Sequence, residues 1–292
     1  MATITFFGAA QEVTGSCHLL ESPACGKVLL DCGLHQGGDA VERIHNERFA
    51  FNPGDIDAVV LSHAHLDHSG MLPLLVHRGF EGPIYCTRAT ADLLPIMLHD
   101  AAGLYLRDLE RDNLRARRRG RKEREPIYDM DDVETVLKRL QRIPYRKHAD
   151  LGPKCRVTFH DAGHILGSAI VEVELKEKRG PRRLVFSGDL GRAGSVLMND
   201  PSSLSEADIV LMESTYGDRN HRCEDESLEE LREVLADTWR RGGSVMIPAF
   251  AVGRTQEIIF HLGRLHHAGE LDPWQIFLDS PMAIEVTQVY DR

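Results

Sequence analysis

Ser62-His63-Ala64-His65-Leu66-Asp67-His68-Ser69-Gly70 is the stretch on which the reading of this chain turns. Three histidines and one aspartate fall within the six positions from His63 to His68. Imidazole nitrogen and carboxylate oxygen together make a donor set that suits zinc. The preceding Ile56-Asp57-Ala58-Val59-Val60-Leu61 is short, apolar and β-branched, and predicts a buried strand. Met71-Leu72-Pro73-Leu74-Leu75-Val76-His77-Arg78, closed by Gly79, predicts a short helix with a C-terminal glycine. The candidate ligands therefore leave a strand end and occupy the loop before a helix. His63 and His65 are placed to converge on one metal, and Asp67 and His68 point differently and could hold a second. The plain alternative is a loop of ordinary surface histidines, which asks chance for a dense H-x-H-x-D-H pattern.

The bulk properties bound the rest. At 292 residues the chain suffices for one large domain or two smaller ones. Hydrophobic residues make up 42% and charged residues 27%, ordinary for a soluble globular protein. No window approaches twenty apolar residues, so no membrane partner is expected. Met1 to Gly8 reads as a strand and not as a signal peptide. Six cysteines (Cys17, Cys25, Cys32, Cys86, Cys155 and Cys223) include no C-x-x-C pair. That argues against a cysteine zinc cluster or a disulfide framework, and makes a reducing cytoplasm the expected location. The formal net charge of −10 weighs mildly against a nucleic-acid partner, although local patches matter more than the sum.

Further strands are expected at Thr3–Phe7, Cys17–Leu20 and Lys27–Gly33, the last carrying Asp31 at its end. A carboxylate before glycine is a common turn, but beside the metal loop Asp31 is expected to hold a ligand histidine in place. Gly82 to Thr87 reads as a strand, and Thr90 as the cap of a helix from Ala91 past Asp108 with a kink at Pro95. From Arg107 to Arg124 nine basic residues face four acidic ones, which leaves +5 in a chain of net −10. Two readings stand: a solvated helix end with a floppy loop, or a basic flap for phosphates. Asp131 to Leu140 is expected to be helical, Cys155–His160 and Ala169–Leu175 are expected strands, and Arg183 to Gly191 reads as a strand ending in a carboxylate beside glycines. His164 and Asp189 stand at strand ends and repeat the placement of the central motif. Ala207 to Glu213 is a further strand ending in an acid. Beyond it, strands at 243–248 and 274–279 alternate with helices at 224–241, 253–267 and from 281, which predicts a parallel α/β unit.

With these residues in hand, the chain resembles the β-CASP branch of the metallo-β-lactamase superfamily, a group of zinc-dependent ribonucleases and relatives. Asp31 matches that family's first motif. His63, His65, Asp67 and His68 match the second, His164 the third and Asp189 the fourth. Glu213, in Glu213-Ser214-Thr215-Tyr216-Gly217, matches the acidic residue that opens the β-CASP insertion. Pro248 to Glu257 and Asp279 to Ala283 resemble later segments of it. The resemblance implies an α/β chain: a four-layer αβ/βα metallo-β-lactamase fold over residues 1–213, then a partial Rossmann-like β-CASP insertion over 214–292. It also implies that this is the front part of a longer protein. The family's later histidine motifs have no counterpart here, and His261, His266 and His267 read as surface residues.

The same resemblance implies two Zn2+ ions, with His63, His65 and His164 at one, Asp67 and His68 at the other, and Asp189 bridging. It makes Asp67, Glu213 and Asp31 the candidate catalytic carboxylates, with Glu213 orienting the acid that protonates the leaving oxygen. RNA is the implied substrate, a homodimer the assembly to test, and Arg254 a candidate phosphate contact at a helix N-terminus. The first zinc set is complete within the chain, and the second is expected to bind poorly for want of a last histidine. Two rivals remain: a hydrolase of the same fold acting on a small ester or thioester, and a non-catalytic RNA-processing subunit. The second is disfavoured because every ligand that can be checked is present.

Overall fold

The first sheet grows from an antiparallel meander into a parallel half. β1 (Thr3–Gly8), β2 (Cys17–Ser22) and β3 (Gly26–Leu30) pair antiparallel, and β4 (Ala58–Val60), β5 (Ile84–Thr87) and β6 (Leu140–Ile143) add on in parallel, in the order β1-β2-β3-β4-β5-β6. Parallel neighbours need crossovers. These are supplied by α1 (Leu66–Ser69) and α2 (Leu72–His77) between β4 and β5, and by α3 (Arg88–Arg118) and α4 (Met130–Lys138) between β5 and β6. Every residue of β4 is buried, as expected of a central parallel strand covered on both faces. In this computed structural model the described residues are 2–37, 48–178, 180–220, 222–271 and 274–291.

The second sheet is built from β7 (His148–Gly152), β8 (Cys155–Asp161), β9 (Ala169–Glu177), β10 (Gly180–Phe186) and β11 (Ile209–Leu211), in the order β11-β10-β9-β8-β7. Its strands alternate. Val157 and Phe159 of β8 and Val171, Val173 and Leu175 of β9 point inward against Leu20, Val28, Leu30, Ala58 and Val60 of the first sheet. This shared core between the two sheets fixes their stacking. On the other face of the second sheet, Arg156 meets Glu174 at 3.0 Å, His160 meets Glu172 at 2.8 Å and Arg183 meets Glu172 at 2.7 Å.

Most expected elements form, with bounds shifted by a few residues. α3 begins earlier than its expected cap. Thr87 has extended backbone and accepts from the Thr90 amide at 3.2 Å, while the Thr90 hydroxyl donates to the Gly167 carbonyl at 2.9 Å. The helix runs through Pro95 as one element to Arg118, so two thirds of the basic stretch from Arg107 to Arg124 is helical. β6 and β7 had no sequence expectation. Both lie at sheet edges and carry polar residues such as Gln141, Arg142, His148 and Asp150, so neither shows apolar alternation.

The chain divides into two compact units, Met1–Glu213 and Ser214–Arg292. The second contains α5 (Glu224–Arg240), α6 (Arg254–His267) and α7 (Pro281–Tyr290), with a small core of Leu235, Leu262, Leu265 and Leu271. The strands expected at 243–248 and 274–279 carry no sheet pairing among the described residues. A strand needs a hydrogen-bonded neighbour to count as one, and here Met246 and Phe277 stand 92% and 81% exposed. His261, expected at the surface, is buried with its Nε2 3.4 Å from Glu224. Among the described residues no helix is long and apolar enough to cross a membrane.

Phe159 is fully buried at the centre of the inter-sheet core. Phe159→Ala should cost about 3–5 kcal/mol through lost transfer energy and the cavity left behind. A thermal melt of the variant beside the parent checks this.

Candidate metal centre

The centre is assembled from strand ends. β4 delivers Ser62 and His63, the loop before α1 delivers His65, and α1 itself carries Asp67 and His68. His164 comes from the loop between β8 and β9, where its amide is held by Ser168 Oγ at 3.0 Å. Asp189 follows β10. Gly188 before it has φ +55°, and a Cβ there would stand 2.7 Å from that of Ser62, so glycine lets the Asp189 turn close on the metal loop.

One donor atom from each of His63, His65, His164 and Asp189 lies within 4.8 Å of all the others. His63 Nε2 and His164 Nε2 lie 3.1 and 3.3 Å from His65 Nδ1. Asp189 Oδ2 lies 3.8 Å from His63 Nε2 and 3.6 Å from His164 Nε2. Four donors about 2.0–2.1 Å from a tetrahedral ion stand about 3.3–3.4 Å apart, so these separations bracket the edges of such a shell. The residues fit a divalent ion.

The other Asp189 oxygen turns away from this group. Oδ1 lies 3.2 Å from His68 Nε2, which is itself 4.0 Å from Asp67 Oδ2. One carboxylate thus faces two donor groups, with three residues available on the second side.

Behind the donors lies a buried carboxylate. Asp31 has no exposed surface and sits at φ +61°, a left-handed conformation that aspartate tolerates better than most residues. Its Oδ1 accepts from the Ser62 amide at 2.7 Å, and its Oδ2 from Ser62 Oγ at 2.9 Å and Ser16 Oγ at 3.0 Å. Oδ2 also lies 2.7 Å from His68 Nδ1, which leaves His68 Nε2 directed at Asp189 and Asp67. Asp31 therefore touches a donor histidine and not the donor cluster itself. Glu213 acts on the opposite side: its Oε1 accepts from the amide of Leu190 at 2.7 Å and so pins the turn carrying Asp189. Ser16 and Ser62 are site residues that the sequence did not single out. Arg254 belongs to the second unit, where it heads α6 and pairs with Glu257 at 2.6 Å.

The electrostatics follow from burial and neighbours. Burial and the adjacent histidines hold His63 well below the ordinary imidazole value, and they bring His65 down to about 3. Burial also lowers His164, with Asp189 opposing. These rings are neutral at pH 7, the form that donates a lone pair. Burial disfavours charge on His68 too, but Asp31 and Asp189 outweigh it and raise the ring to about 10. Burial likewise works against the Asp189 carboxylate, yet the His68 contact brings it down to about 2. Asp67 moves the other way, raised chiefly by burial.

Comparison with known proteins places this geometry in context. Residues 11–249 match the model of the metallo-beta-lactamase superfamily. A ribonuclease of Thermus thermophilus, TTHA0252, is 44% identical over 286 residues, covering 98% of this chain and 60% of that protein. Transcription termination factor FttA of Methanothermobacter thermautotrophicus is 34% identical over 95% of this chain and 42% of its own length. FttA of Thermococcus kodakarensis is 35% identical over 98% and 43%. The chain therefore spans 60% of the length of the ribonuclease and 42% and 43% of the two termination factors.

The raised His68 ring gives a signed pH test in chelator-treated protein. A group whose folded value is about 10 against an ordinary 6.5 contributes stability that is complete below about 6.5 and lost as pH rises through 10. Stability of the metal-free protein should fall across that window. Asp31→Asn, which removes the main attraction for that proton, should flatten the fall. Parallel denaturation curves at pH 6 and pH 10 for both proteins check it.

Proposed function

Because this chain belongs to the metallo-beta-lactamase superfamily, we propose that it carries the metal centre of a hydrolase that cleaves RNA phosphodiester bonds. The observation that carries this is the Asp189 carboxylate, one oxygen toward His63 and His164 and the other toward His68. That arrangement suits two ions sharing one carboxylate, as phosphoryl-transfer sites use. His63 Nε2, His65 Nδ1 and His164 Nε2, with Asp189, would hold the first, and Asp67, His68 and Asp189 the second. Zinc is the ion the imidazole-rich set favours. The names of the relatives, a ribonuclease and termination factors, support RNA over a small ester.

A bound divalent ion supplies charge neutralisation at a phosphoryl oxygen and makes water easier to deprotonate. The protein residues do the rest. Asp31 keeps the His68 proton on Nδ1, so Nε2 stays available to the site. Glu213, through the Leu190 amide, holds Asp189 at the distance both donor groups need. Asp67, raised by burial, is the carboxylate best placed to accept a proton from water. Arg254 would contact RNA phosphate only by exchanging its Glu257 partner. The 1–213 and 214–292 units would correspond to the start of the metallo-β-lactamase domain and of the β-CASP domain. A cytoplasmic location and a homodimer complete the proposal, the latter open to sedimentation analysis.

His63→Ala should remove the first ion, and Asp189→Ala should deplete both, read as metal per chain by elemental analysis after gel filtration. Wild-type metal content in Asp189→Ala would refute the shared carboxylate. RNA cleavage should disappear with chelator and return with Zn2+, and chelator-resistant cleavage would refute the metal-dependent reading.

A further inference from the structure

The second half of α3 and the turn after it form a built arm whose net charge is concentrated at its tip. From Arg107 to Ala116 the helix carries three arginines and three acids, a net charge of zero. From Arg117 to Arg124 the helix end and the turn after it carry six basic residues and one acid, a net of +5. The whole excess of the basic stretch therefore sits in eight residues. Two of the three acids of the stem are engaged locally: Asp108 pairs with Arg111 at 3.0 Å and Asp112 with Arg115 at 3.2 Å.

The tip is clamped, not floppy. Gly120, at φ +62°, lets the chain reverse, with the Arg119 and Arg121 amides returning to the Ala116 carbonyl. Asn113 bonds the Arg124 backbone twice, at 2.8 Å each: its Nδ2 donates to the carbonyl and its Oδ1 accepts from the amide. Arg117 grips Glu123 through two hydrogen bonds of 2.8 Å. At the base, the Ile127 amide donates to the Tyr105 hydroxyl at 3.0 Å, and the Tyr105 and Tyr128 rings stack 5.1 Å apart. The one acid of the tip is thus spent on the clamp. Arg118, Arg119, Arg121, Lys122 and Arg124 remain exposed and form no ion pair among the described residues.

We propose that this tip is a second RNA-backbone contact, remote from the metal centre, that anchors long single strands by their phosphates. The inference rests on the RNA-hydrolase reading above. Four of the five free cations are arginines, whose planar forks suit phosphate oxygens. No aromatic side chain lies between Arg107 and Arg124, so the contact is to backbone and not to bases. The two ends of α3 set the reach. Its first turn packs on Gly167, in the loop that carries His164, and its last residue is Arg118. At 1.5 Å per residue the 31-residue helix is about 46 Å long. At about 3.4 Å per stacked nucleotide, a strand must exceed roughly a dozen nucleotides to touch both ends.

The test compares wild type with a variant in which Arg118, Arg119, Arg121 and Lys122 become Ser. A charge-keeping variant replaces Arg118, Arg119 and Arg121 by Lys. A control variant replaces Arg222, Arg240, Arg241 and Arg264 by Ser. Binding of single-stranded RNA of about thirty nucleotides is titrated by fluorescence anisotropy over a range of salt. Each lost contact should lower the slope of log affinity against log salt by about 0.7, so the tip variant should flatten it by up to roughly 3. Affinity near 0.1 M salt should drop about tenfold or more. The lysine variant should keep the slope, the control should leave it unchanged, and cleavage of RNA of about six nucleotides should be the same in all four proteins.

An equal slope in wild type and tip variant overturns the proposal, as does an equal loss in the control, which would mean net charge alone. Tip-dependent binding to phosphatidylserine vesicles tighter than to RNA overturns it in favour of a membrane. Tip-dependent RNA binding by a protein that cleaves no RNA would leave the anchor standing and remove the hydrolase reading. Cleavage with a tip-independent slope would do the reverse.

Discussion

A carboxylate with no exposed surface is the constraint on which the centre depends. Taking a carboxylate out of water costs several kcal/mol unless hydrogen bonds replace the lost solvent. Asp31 is given four partners: the Ser62 amide, the hydroxyls of Ser62 and Ser16, and the His68 ring. These come from the β1–β2 connection, the end of β4 and helix α1, which are otherwise joined mainly by backbone. A single residue thus fixes three segments, and it does so at a left-handed φ that stores about 1–3 kcal/mol of strain. The strain is tolerable because the network over-determines the conformation.

From that anchor the donor geometry follows by strand topology. Parallel strands end on the same side of a sheet, so the residues after β3 and β4 arrive together. The second sheet contributes His164 after β8 and Asp189 after β10, and the core between the sheets sets how near they come. The glycine before Asp189 permits the final approach to Ser62. Ser168 fixes the His164 amide, and Glu213 fixes the turn after Asp189.

Much of this was legible in the sequence because ligand chemistry is written in residue identity. His63, His65, Asp67 and His68 fall within six positions and are all metal-ligand types, and the apolar run before them marks a strand. His164 and Asp189 were legible as strand-end residues, but their convergence needed a resemblance, since distance in sequence says nothing about approach in space. Ser16 and Ser62 were invisible because a hydroxyl is common everywhere and its partner is set by tertiary packing. β6 and β7 escaped because edge strands need no apolar alternation. The segments at 243–248 and 274–279 have β-branched and aromatic residues with strand character, but a ladder needs a neighbour, and none pairs with them among the described residues. The clamp of the basic tip was hidden for a similar reason, since Asn113 and Arg124 meet only once the turn at Gly120 is made.

The net charge of −10, which weighed against a nucleic-acid partner, dissolves once charge is placed in space. Asp31, Asp67, Asp189 and Glu213 supply four of those negative charges at one centre, and all are committed to its hydrogen bonds, ion pairs or donor groups. A divalent ion bound there offsets them locally, so a polyanion approaching the site does not meet the sum over the chain. The outer face of the second sheet adds acids already matched by Arg156, Arg183 and His160. Arg118, Arg119, Arg121, Lys122 and Arg124, at the end of α3 and in the turn after it, pair with no acid among the described residues. Coulomb forces between exposed charges fade within about 10 Å at ordinary salt. A phosphate near the tip therefore responds to the tip, and a global balance read from composition cannot decide what an acidic chain binds.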